Sequence, residues 1–219
     1  MTKKIEIKGV IVSDDEAWIY EWIGISATNP KKVNDLIEKA NGEDLEFYIN
    51  SPGGDVFAGS ELYTVLKEYK GKTTGKIIGL AASAASVIAM GCKVLFMSPT
   101  AEMMIHNVSS GAQGDYRAME HSANMLKDYN STLANAYAIK SGMDKKDILE
   151  MMDAETWLTP EKALKYKLID GILFDDRLEI DNTKERFELL KNNKTDTKAA
   201  ALANAKLNLL KLEGERNYE

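Results

Sequence analysis

A serine hydroxyl and a histidine ring are the side chains of this sequence best suited to nucleophilic chemistry. Ser83 lies in the small-residue run Gly79-Leu-Ala-Ala-Ser-Ala-Ala-Ser86, which predicts a helix that begins at Ser83. A serine hydroxyl becomes a good nucleophile only when an adjacent base takes its proton, and imidazole is well suited to that task near neutral pH. His106 and His121 are the two histidines, so the choice of base is narrow.

The neighbours of each candidate favour Ser83 and His106. His106 directly follows the apolar run Met103-Met-Ile105, which predicts a strand that fixes the ring at the end of a sheet. His121 lies midway along a long predicted helix, as a surface or interface residue would. The start of a helix favours developing negative charge at Ser83, although a simple N-cap is the competing interpretation. Ser86, one turn later, is the rival nucleophile, but its position should direct it into helix packing.

Two further segments could complete such a site. Ser51-Pro-Gly-Gly54 follows a predicted strand, and its glycines would let backbone N–H groups approach a ligand, as an oxyanion hole requires. An ordinary turn is the competing interpretation of this segment. Asp153 and Glu155, in a loop near Trp157, are the carboxylates that could orient His106.

The elements that position these residues alternate between strands and helices, which predicts an α/β fold with a parallel sheet covered on both faces. We predict strands at 5–12, 17–20, 45–50, 76–79, 94–97, 102–105 and 168–174, and helices at 30–40, 56–66, 83–90, 115–140, 145–152 and 160–166. Sheets of this kind bind ligands beyond the carboxyl ends of their strands, where Ser83 falls. At 1.5 Å per residue the helix at 115–140 would extend roughly 35–40 Å, so we expect it to project and find a partner.

Composition limits the classes of function. The 219 residues carry a formal net charge of -6, which argues against nucleic acid or an anionic membrane as a partner. Cys92 is the single cysteine, so we expect a buried thiol and no disulfide. We find no signal-peptide pattern, no apolar run of membrane-spanning length and no phosphate-binding Gly-x-x-x-x-Gly-Lys motif. We therefore expect a cytoplasmic protein with no cofactor and no metal.

The composition changes after residue 174, where charges of both signs are followed by an alanine-, leucine- and lysine-rich segment. We predict two parts: a domain at 1–174 and a charged, partly helical extension at 175–219. The leucines of the extension could pack on a neighbouring subunit, and a frayed tail is the alternative.

Four motifs, in order, resemble those of the ClpP serine peptidases. They are Tyr48-Ile-Asn-Ser-Pro-Gly-Gly54, Gly79-Leu-Ala-Ala-Ser83, Met104-Ile-His106, and Thr156-Trp-Leu-Thr-Pro-Glu-Lys-Ala163 followed by Leu168-Ile-Asp170. The resemblance spans about residues 5–174 and implies a ClpP/crotonase-like ββα spiral core with a projecting handle helix. The Ala-Ala-Ser-Ala-Ala-Ser variant and Glu-Thr-Trp most resemble the ClpP-like proteases of phages and prophages, which are associated with capsid maturation.

The resemblance assigns catalytic roles. Ser83 would be the nucleophile and His106 the general base. The oxyanion would be bound by the backbone N–H groups of Gly53, Gly54 and Ala84.

The resemblance leaves the third catalytic residue open. Glu155 stands in place of the family's aspartate, with Asp153 as the alternative, and Ser-His-Glu variants occur in other hydrolases. The segment 107–114 matches the family's substrate-lining strand and turn, so a peptide would pair along Asn107, Val108 and Ser109.

The implied function is a serine endopeptidase that acts through an acyl-enzyme. The resemblance implies a homo-oligomeric ring, with two rings stacking through the handle helix. It also implies polypeptide substrates and, as partners, capsid or scaffold proteins. Any ATP dependence would belong to a partner, since the sequence shows no nucleotide-binding motif. Two alternatives stay open: a ring-forming scaffold with a weakened site, and a crotonase-like acyl-CoA enzyme whose glycine-turn N–H groups bind a thioester enolate.

Overall fold

Strands and helices alternate along residues 2–175, which are the residues that the computed structural model describes. The strands are β1 (Thr2–Ile11), β2 (Ala27–Thr28), β3 (Asp44–Gly54), β4 (Thr73–Ala82), β5 (Val94–Met97), β6 (Glu102–Ile105), β7 (Thr156–Leu158) and β8 (Gly171–Ile172). The helices are α1 (Ala17–Trp22), α2 (Pro30–Lys39), α3 (Val56–Glu68), α4 (Ala84–Gly91), α5 (Tyr116–Ser141), α6 (Lys145–Asp153) and α7 (Pro160–Lys165). The predicted extension lies outside the described residues, apart from Asp175. Within 2–175, none of the helices combines the length and the apolar character needed to cross a membrane.

A parallel sheet with the strand order β2-β1-β3-β4-β5-β8 forms the centre of the fold. Strand β4 is shared between two neighbours, because its first half pairs with β5 and its last residues, Leu80 to Ala82, pair with β6. Strand β7 then adds to β6 in the antiparallel direction. This branching brings the carboxyl ends of β3, β4 and β6 to one edge of the sheet.

The two faces of the sheet differ in polarity. Buried and exposed residues alternate along β1 and β3, and the buried set includes Ile5, Ile7, Phe47 and Ile49. Helix α4 lies against β3, and α3 packs on α4. The opposite face carries charged side chains such as Glu6, which forms ion pairs with lysines on its own strand. The prediction that helices cover both faces is therefore wrong for this part of the sheet, where the alternation marks a single buried face.

Three predicted elements differ from the structure. Residues 17–20 form part of helix α1, in which no residue is buried, instead of a strand. A short apolar run does not by itself distinguish a strand from a helix, which is why the pattern misled. Residues 156–158, predicted as loop, form the short strand β7, and the strand predicted at 168–174 is reduced to the two residues of β8.

Helix α5 is 26 residues long, about 39 Å at 1.5 Å per residue. The Asp115 side chain caps its start by accepting hydrogen bonds from two backbone N–H groups, and Gly142 ends it in the left-handed conformation. Its buried residues all fall between Ala134 and Ser141, so the last two turns pack into the core. The role of the exposed first part as a ring-interlocking handle stays a prediction.

A buried ion pair joins the end of α5 to the sheet. Lys140 Nζ lies 2.8 Å from Asp170 Oδ2, and both side chains are less than 5% exposed. The same carboxylate oxygen accepts a hydrogen bond from the backbone N–H of Leu95 on β5 at 2.7 Å. Asp170 therefore connects the C-terminal end of α5 to β5.

Candidate active site

Ser83 occupies the turn between β4 and α4 in a conformation that is uncommon for a residue with a side chain. Its φ is 55° and its ψ is -128°. Such strain costs about 1–3 kcal/mol and is concentrated at functional sites. Although Ser83 stands at the N-cap position of α4, its side chain makes no capping hydrogen bond. The interpretation of its hydroxyl as a simple helix cap is therefore wrong.

The Ser83 hydroxyl instead meets the ring of His106. Ser83 Oγ lies 2.8 Å from His106 Nε2. Ala82 on β4 pairs with Met104 on β6, so the two side chains follow adjacent parallel strands at their carboxyl ends. An imidazole at this distance can accept the hydroxyl proton if Nε2 is the unprotonated ring nitrogen. His121 is exposed on α5 and takes no part in this arrangement.

Neither predicted carboxylate makes a hydrogen bond to His106 in residues 2–175. Asp153 Oδ1 accepts a hydrogen bond from Asn107 Nδ2 at 2.7 Å. Glu155 is exposed and has a positive φ of 47°. The pair Ile105–Thr156 is the last one between β6 and β7, so His106 and Glu155 are the next residues beyond it on the two chain segments. The positive φ of Glu155 takes its backbone out of the extended conformation of β7.

Gly53 and Gly54, the last two residues of β3, bring the end of this strand against Ser83. Both have positive φ values, 93° and 147°. A Cβ on Gly53 would lie 2.7 Å from Ser83 Cβ, and one on Gly54 would lie 2.0 Å from the Ile11 carbonyl oxygen. The Gly53 N–H already donates to Ser51 Oγ at 3.1 Å, whereas Gly54 lines the pocket beside Ser83. Gly53 therefore provides the close approach, and Gly54 is the better placed of the two to donate to a ligand.

A pocket of about 410 Å³ opens beside Ser83 and His106. Part of its lining is polar, with Asp55, Ser109, Ser110 and Ser122, and an apolar part comes from side chains of α3, α4 and α5: Val56, Phe57, Val87, Met125, Leu126, Tyr129 and Leu133. The rings of Phe57 and Tyr129 meet edge to face, with centroids 5.4 Å apart. The volume lies within the roughly 300–1,000 Å³ typical of ligand pockets. A nucleophile at the edge of such a pocket could carry out acyl transfer on a substrate with an apolar side chain.

The sequence of this chain is similar to that of a known protease family. Residues 31–176 match the Clp protease family. The chain belongs to the Clp protease family. It is also 33% identical over 145 residues to the ATP-dependent Clp protease proteolytic subunit of Deinococcus radiodurans, an alignment that covers 65% of this chain and 71% of that protein.

Membership confirms the resemblance to ClpP peptidases at the level of the family. The protein is a serine-type peptidase, and the α/β fold with a parallel sheet that the resemblance implied is confirmed. The alternatives of a scaffold and of an acyl-CoA enzyme are not favoured. The phage or prophage subtype stays a prediction.

In this Clp protease the segment at 107–114 borders the pocket without forming the expected strand. Val108 and Ser109 line the pocket, whereas Asn107 turns to Asp153. The Val108 N–H donates to Asn130 Oδ1 on α5 at 2.7 Å. Because these contacts use side chains of neighbouring helices, the segment is held without pairing to another strand.

A buried hydroxyl pair behind Ser83 could not be assigned from the sequence. Ser86 is fully buried, as predicted, and its Oγ lies 2.6 Å from the Ser83 carbonyl oxygen and 2.7 Å from Tyr137 Oη. Burial raises the pKa of the Tyr137 phenol to about 12. One signal in the sequence points to such a contact: Ser86 stands in an otherwise apolar helix. A hydroxyl that is buried there needs a hydrogen-bond partner.

The other potentially reactive side chains of residues 2–175 form neither a metal site nor a reactive thiol. Among residues 2–175, no three His, Cys, Asp or Glu side chains gather closely enough to hold a metal ion. Cys92 is buried, and burial raises the pKa of its thiol to about 12. It therefore lacks the lowered pKa that makes a cysteine reactive.

Proposed function

We propose that this Clp protease is an endopeptidase in which Ser83 is the nucleophile and His106 the general base. The observation that carries the proposal is the 2.8 Å contact between Ser83 Oγ and His106 Nε2. His106 would accept the hydroxyl proton as Ser83 Oγ attacks the peptide carbonyl carbon. The same ring would then give the proton to the leaving amine, and a water activated by His106 would release the acyl group.

The backbone N–H groups of Gly54 and Ala84 are our candidates for oxyanion donors. Both residues line the pocket beside Ser83. Ala84 is the first residue of α4, where N–H groups lack intrahelical partners and the helix dipole favours negative charge. Gly53, also assigned by the resemblance, would act by letting the turn approach Ser83. Loss of one such donor typically costs about 2.7–4 kcal/mol of transition-state stabilisation.

Glu155 is our candidate for the residue that orients His106. Glu155 and His106 each lie next to Ile105–Thr156, the last pair between β6 and β7, and the Asp153 side chain is hydrogen-bonded to Asn107. A carboxylate that accepts the Nδ1–H proton would hold the ring in the tautomer that leaves Nε2 free to act as a base. In this proposal a change in the turn before β7, where Glu155 has its positive φ, brings the carboxylate to the ring.

The substrate would be a polypeptide with an apolar side chain before the scissile bond. The apolar part of the pocket lining supports this, since it includes aromatic and aliphatic residues such as Phe57, Leu126 and Leu133. The peptide backbone would run along the segment that includes Val108 and Ser109. Burial of an apolar side chain of leucine size contributes roughly 1.5–3 kcal/mol, enough to select substrates.

A homo-oligomeric ring is the assembly we propose. Trp18 is 65% exposed and Trp22 is 81% exposed, on a helix with no buried residue in the single chain. Apolar patches of this kind are typical of protein interfaces. The first part of α5, where Tyr116 and Met119 are exposed, would join two such rings.

The biological role we propose is capsid maturation by a phage- or prophage-encoded enzyme acting in the host cytoplasm. The support is the motif pair Ala-Ala-Ser-Ala-Ala-Ser and Glu-Thr-Trp at residues 81–86 and 155–157. Capsid or scaffold proteins would then be substrates and partners. Incubation of the purified enzyme with the capsid and scaffold proteins of the same genome tests this role: site-specific cleavage supports it, and resistance of both proteins contradicts it.

The protease would act without ATP of its own. The sequence has no Gly-x-x-x-x-Gly-Lys motif, although the Deinococcus relative is named an ATP-dependent protease subunit. We expect equal rates of short-peptide cleavage with and without ATP. A rate that rises when ATP is added to the purified chain alone would contradict this.

Peptide cleavage by the purified oligomer tests the proposed chemistry. Wild type should cleave fluorogenic peptides with an apolar residue before the scissile bond, and Ser83→Ala should reduce the rate to background. Ser98→Ala, which changes a serine that does not line the pocket, should match wild type. An assembled but inactive wild type would favour a scaffold, and turnover of acyl-CoA thioesters without peptide cleavage would favour the crotonase-like alternative.

A further inference from the structure

The carbonyl oxygen of Ser83 accepts three hydrogen bonds. Two come from the backbone N–H groups of Ser86 at 2.9 Å and Val87 at 3.3 Å, as expected at the start of a helix. The third comes from Ser86 Oγ at 2.6 Å, although Ser86 is completely buried. The Ser86 side chain thus adds a hydrogen bond to a carbonyl whose hydrogen-bonding capacity the helix N–H groups already use. This carbonyl belongs to Ser83, the proposed nucleophile.

The direction of the hydrogen bonds follows from the number of protons. Ser86 has one hydroxyl proton and the Ser83 carbonyl can only accept, so that proton lies on the 2.6 Å contact. Tyr137 Oη, 2.7 Å from Ser86 Oγ, must then be the donor of the second bond. Because burial raises its pKa to about 12, the phenol keeps this proton at neutral pH. The chain therefore runs from the Tyr137 hydroxyl through the Ser86 hydroxyl to the Ser83 carbonyl.

The Ser83 carbonyl and the Ala84 N–H belong to the same planar peptide group. A force that fixes the direction of the carbonyl consequently fixes the direction of the N–H on the opposite side of the plane. Ala84 lines the pocket, so its N–H is the group whose aim matters for catalysis. We propose that Ser86 and Tyr137 are positioning residues that hold the Ala84 N–H in the direction required to bind the oxyanion.

This inference rests on the proposed function, in which Ala84 supplies an oxyanion donor. It also connects the reacting centre to the substrate pocket, since Tyr137 lies on α5 with the pocket residues Leu126, Tyr129 and Leu133. The strained conformation of Ser83 is the reason that an additional restraint is useful. A peptide plane held only by the two helix N–H groups could rotate toward a less strained conformation, and the donor would turn with it.

Steady-state kinetics with a cleavable peptide test the inference. Tyr137→Phe removes the phenolic oxygen, and Ser86→Ala removes the hydroxyl that links Tyr137 to the Ser83 carbonyl. Each should lower kcat about tenfold, part of the 10²–10³-fold lost when a donor is removed outright. KM should change less than about twofold, because the oxyanion forms only in the transition state. The double variant should lose about tenfold and not a hundredfold, because both hydroxyls act in one chain.

Ser141→Ala is the matched control. Ser141 also carries a buried hydroxyl on α5 and donates to the Tyr137 carbonyl oxygen at 2.7 Å, but it makes no contact with Ser83 or Ser86. It should lower the melting temperature and leave kcat unchanged. The inference is overturned if both test variants keep the wild-type kcat, if only KM changes, or if Ser141→Ala lowers kcat as much. A wild type that neither cleaves peptides nor reacts at Ser83 overturns the proposed function as well, so the two failures are distinguishable.

Discussion

Gly53 lies so close to Ser83 that a Cβ on Gly53 would be 2.7 Å from Ser83 Cβ. The same Cβ would be 2.7 Å from the Ala82 carbonyl oxygen, so backbone as well as side chain would have to move. The end of β3 and the turn that holds Ser83 after β4 are therefore packed against each other as one unit. Any change at the end of β3 is transmitted directly to Ser83.

Gly53→Ala should inactivate the enzyme by displacing Ser83. We expect kcat to fall by roughly 10²-fold or more, because a shift of about 1 Å at the nucleophile has an effect of this size. Gly42→Ala is the control: Gly42 has a similar positive φ of 85°, but a Cβ there would have no neighbour within 4 Å. Peptide cleavage by the two variants measures the difference. Equal loss of activity in both would show that backbone strain, and not contact with Ser83, is responsible.

Glu155→Gln should be more harmful than Asp153→Asn. Glu155 and His106 each lie next to the last β6–β7 pair, Ile105–Thr156, whereas asparagine at 153 could still accept the hydrogen bond from Asn107. We expect kcat to fall by roughly 10²-fold or more for Glu155→Gln, since the charge that stabilises the imidazolium is lost. Asp153→Asn should change kcat by less than about threefold.

The ranking of these two variants in peptide cleavage decides between the carboxylates. A larger loss for Asp153→Asn would assign the orienting role to Asp153. Full activity in both variants would mean that His106 acts without either carboxylate.

Lys140→Met should destabilise the fold strongly. The side chains of Lys140 and Asp170 are 2% and 4% exposed, and removal of the ammonium group leaves the carboxylate buried without that cation. Breaking a buried pair in this way typically costs 3–5 kcal/mol, so we expect a loss of about 3–5 kcal/mol in the free energy of unfolding. Lys146→Met, in the exposed pair with Glu150, should cost less than about 0.5 kcal/mol. Urea unfolding at a fixed protein concentration measures both values, and similar losses would contradict the assignment of the buried pair.

Cys92 should resist alkylation in the folded protein. With a pKa raised to about 12 by burial, only roughly one thiol in 10⁴ is ionised at pH 8. We expect no reaction with iodoacetamide in native buffer and complete reaction in denaturing urea, as measured by intact-protein mass spectrometry. Rapid alkylation in native buffer would show that this part of the core opens.

Several features could be predicted from the sequence because they follow from local patterns. Ser83 and His106 each come directly after an apolar strand, and parallel strands deliver such residues to one edge of a sheet. The pairing of Ser86 with Tyr137 could not be predicted, since the residues are 51 positions apart and each resembles ordinary helix packing. The hydrogen bond between Asn107 and Asp153 could not be predicted either, because the two residues are 46 positions apart and meet only in the folded chain.

The central claim is that Ser83, activated by His106, is the nucleophile, and labelling with a fluorophosphonate followed by peptide mapping tests it most directly. We predict a single modified residue, Ser83, in wild type and in Ser86→Ala, with slower labelling in the latter. Labelling should be absent in Ser83→Ala and strongly reduced in His106→Ala. Modification that persists in Ser83→Ala, or that maps to Ser86, would contradict the assignment.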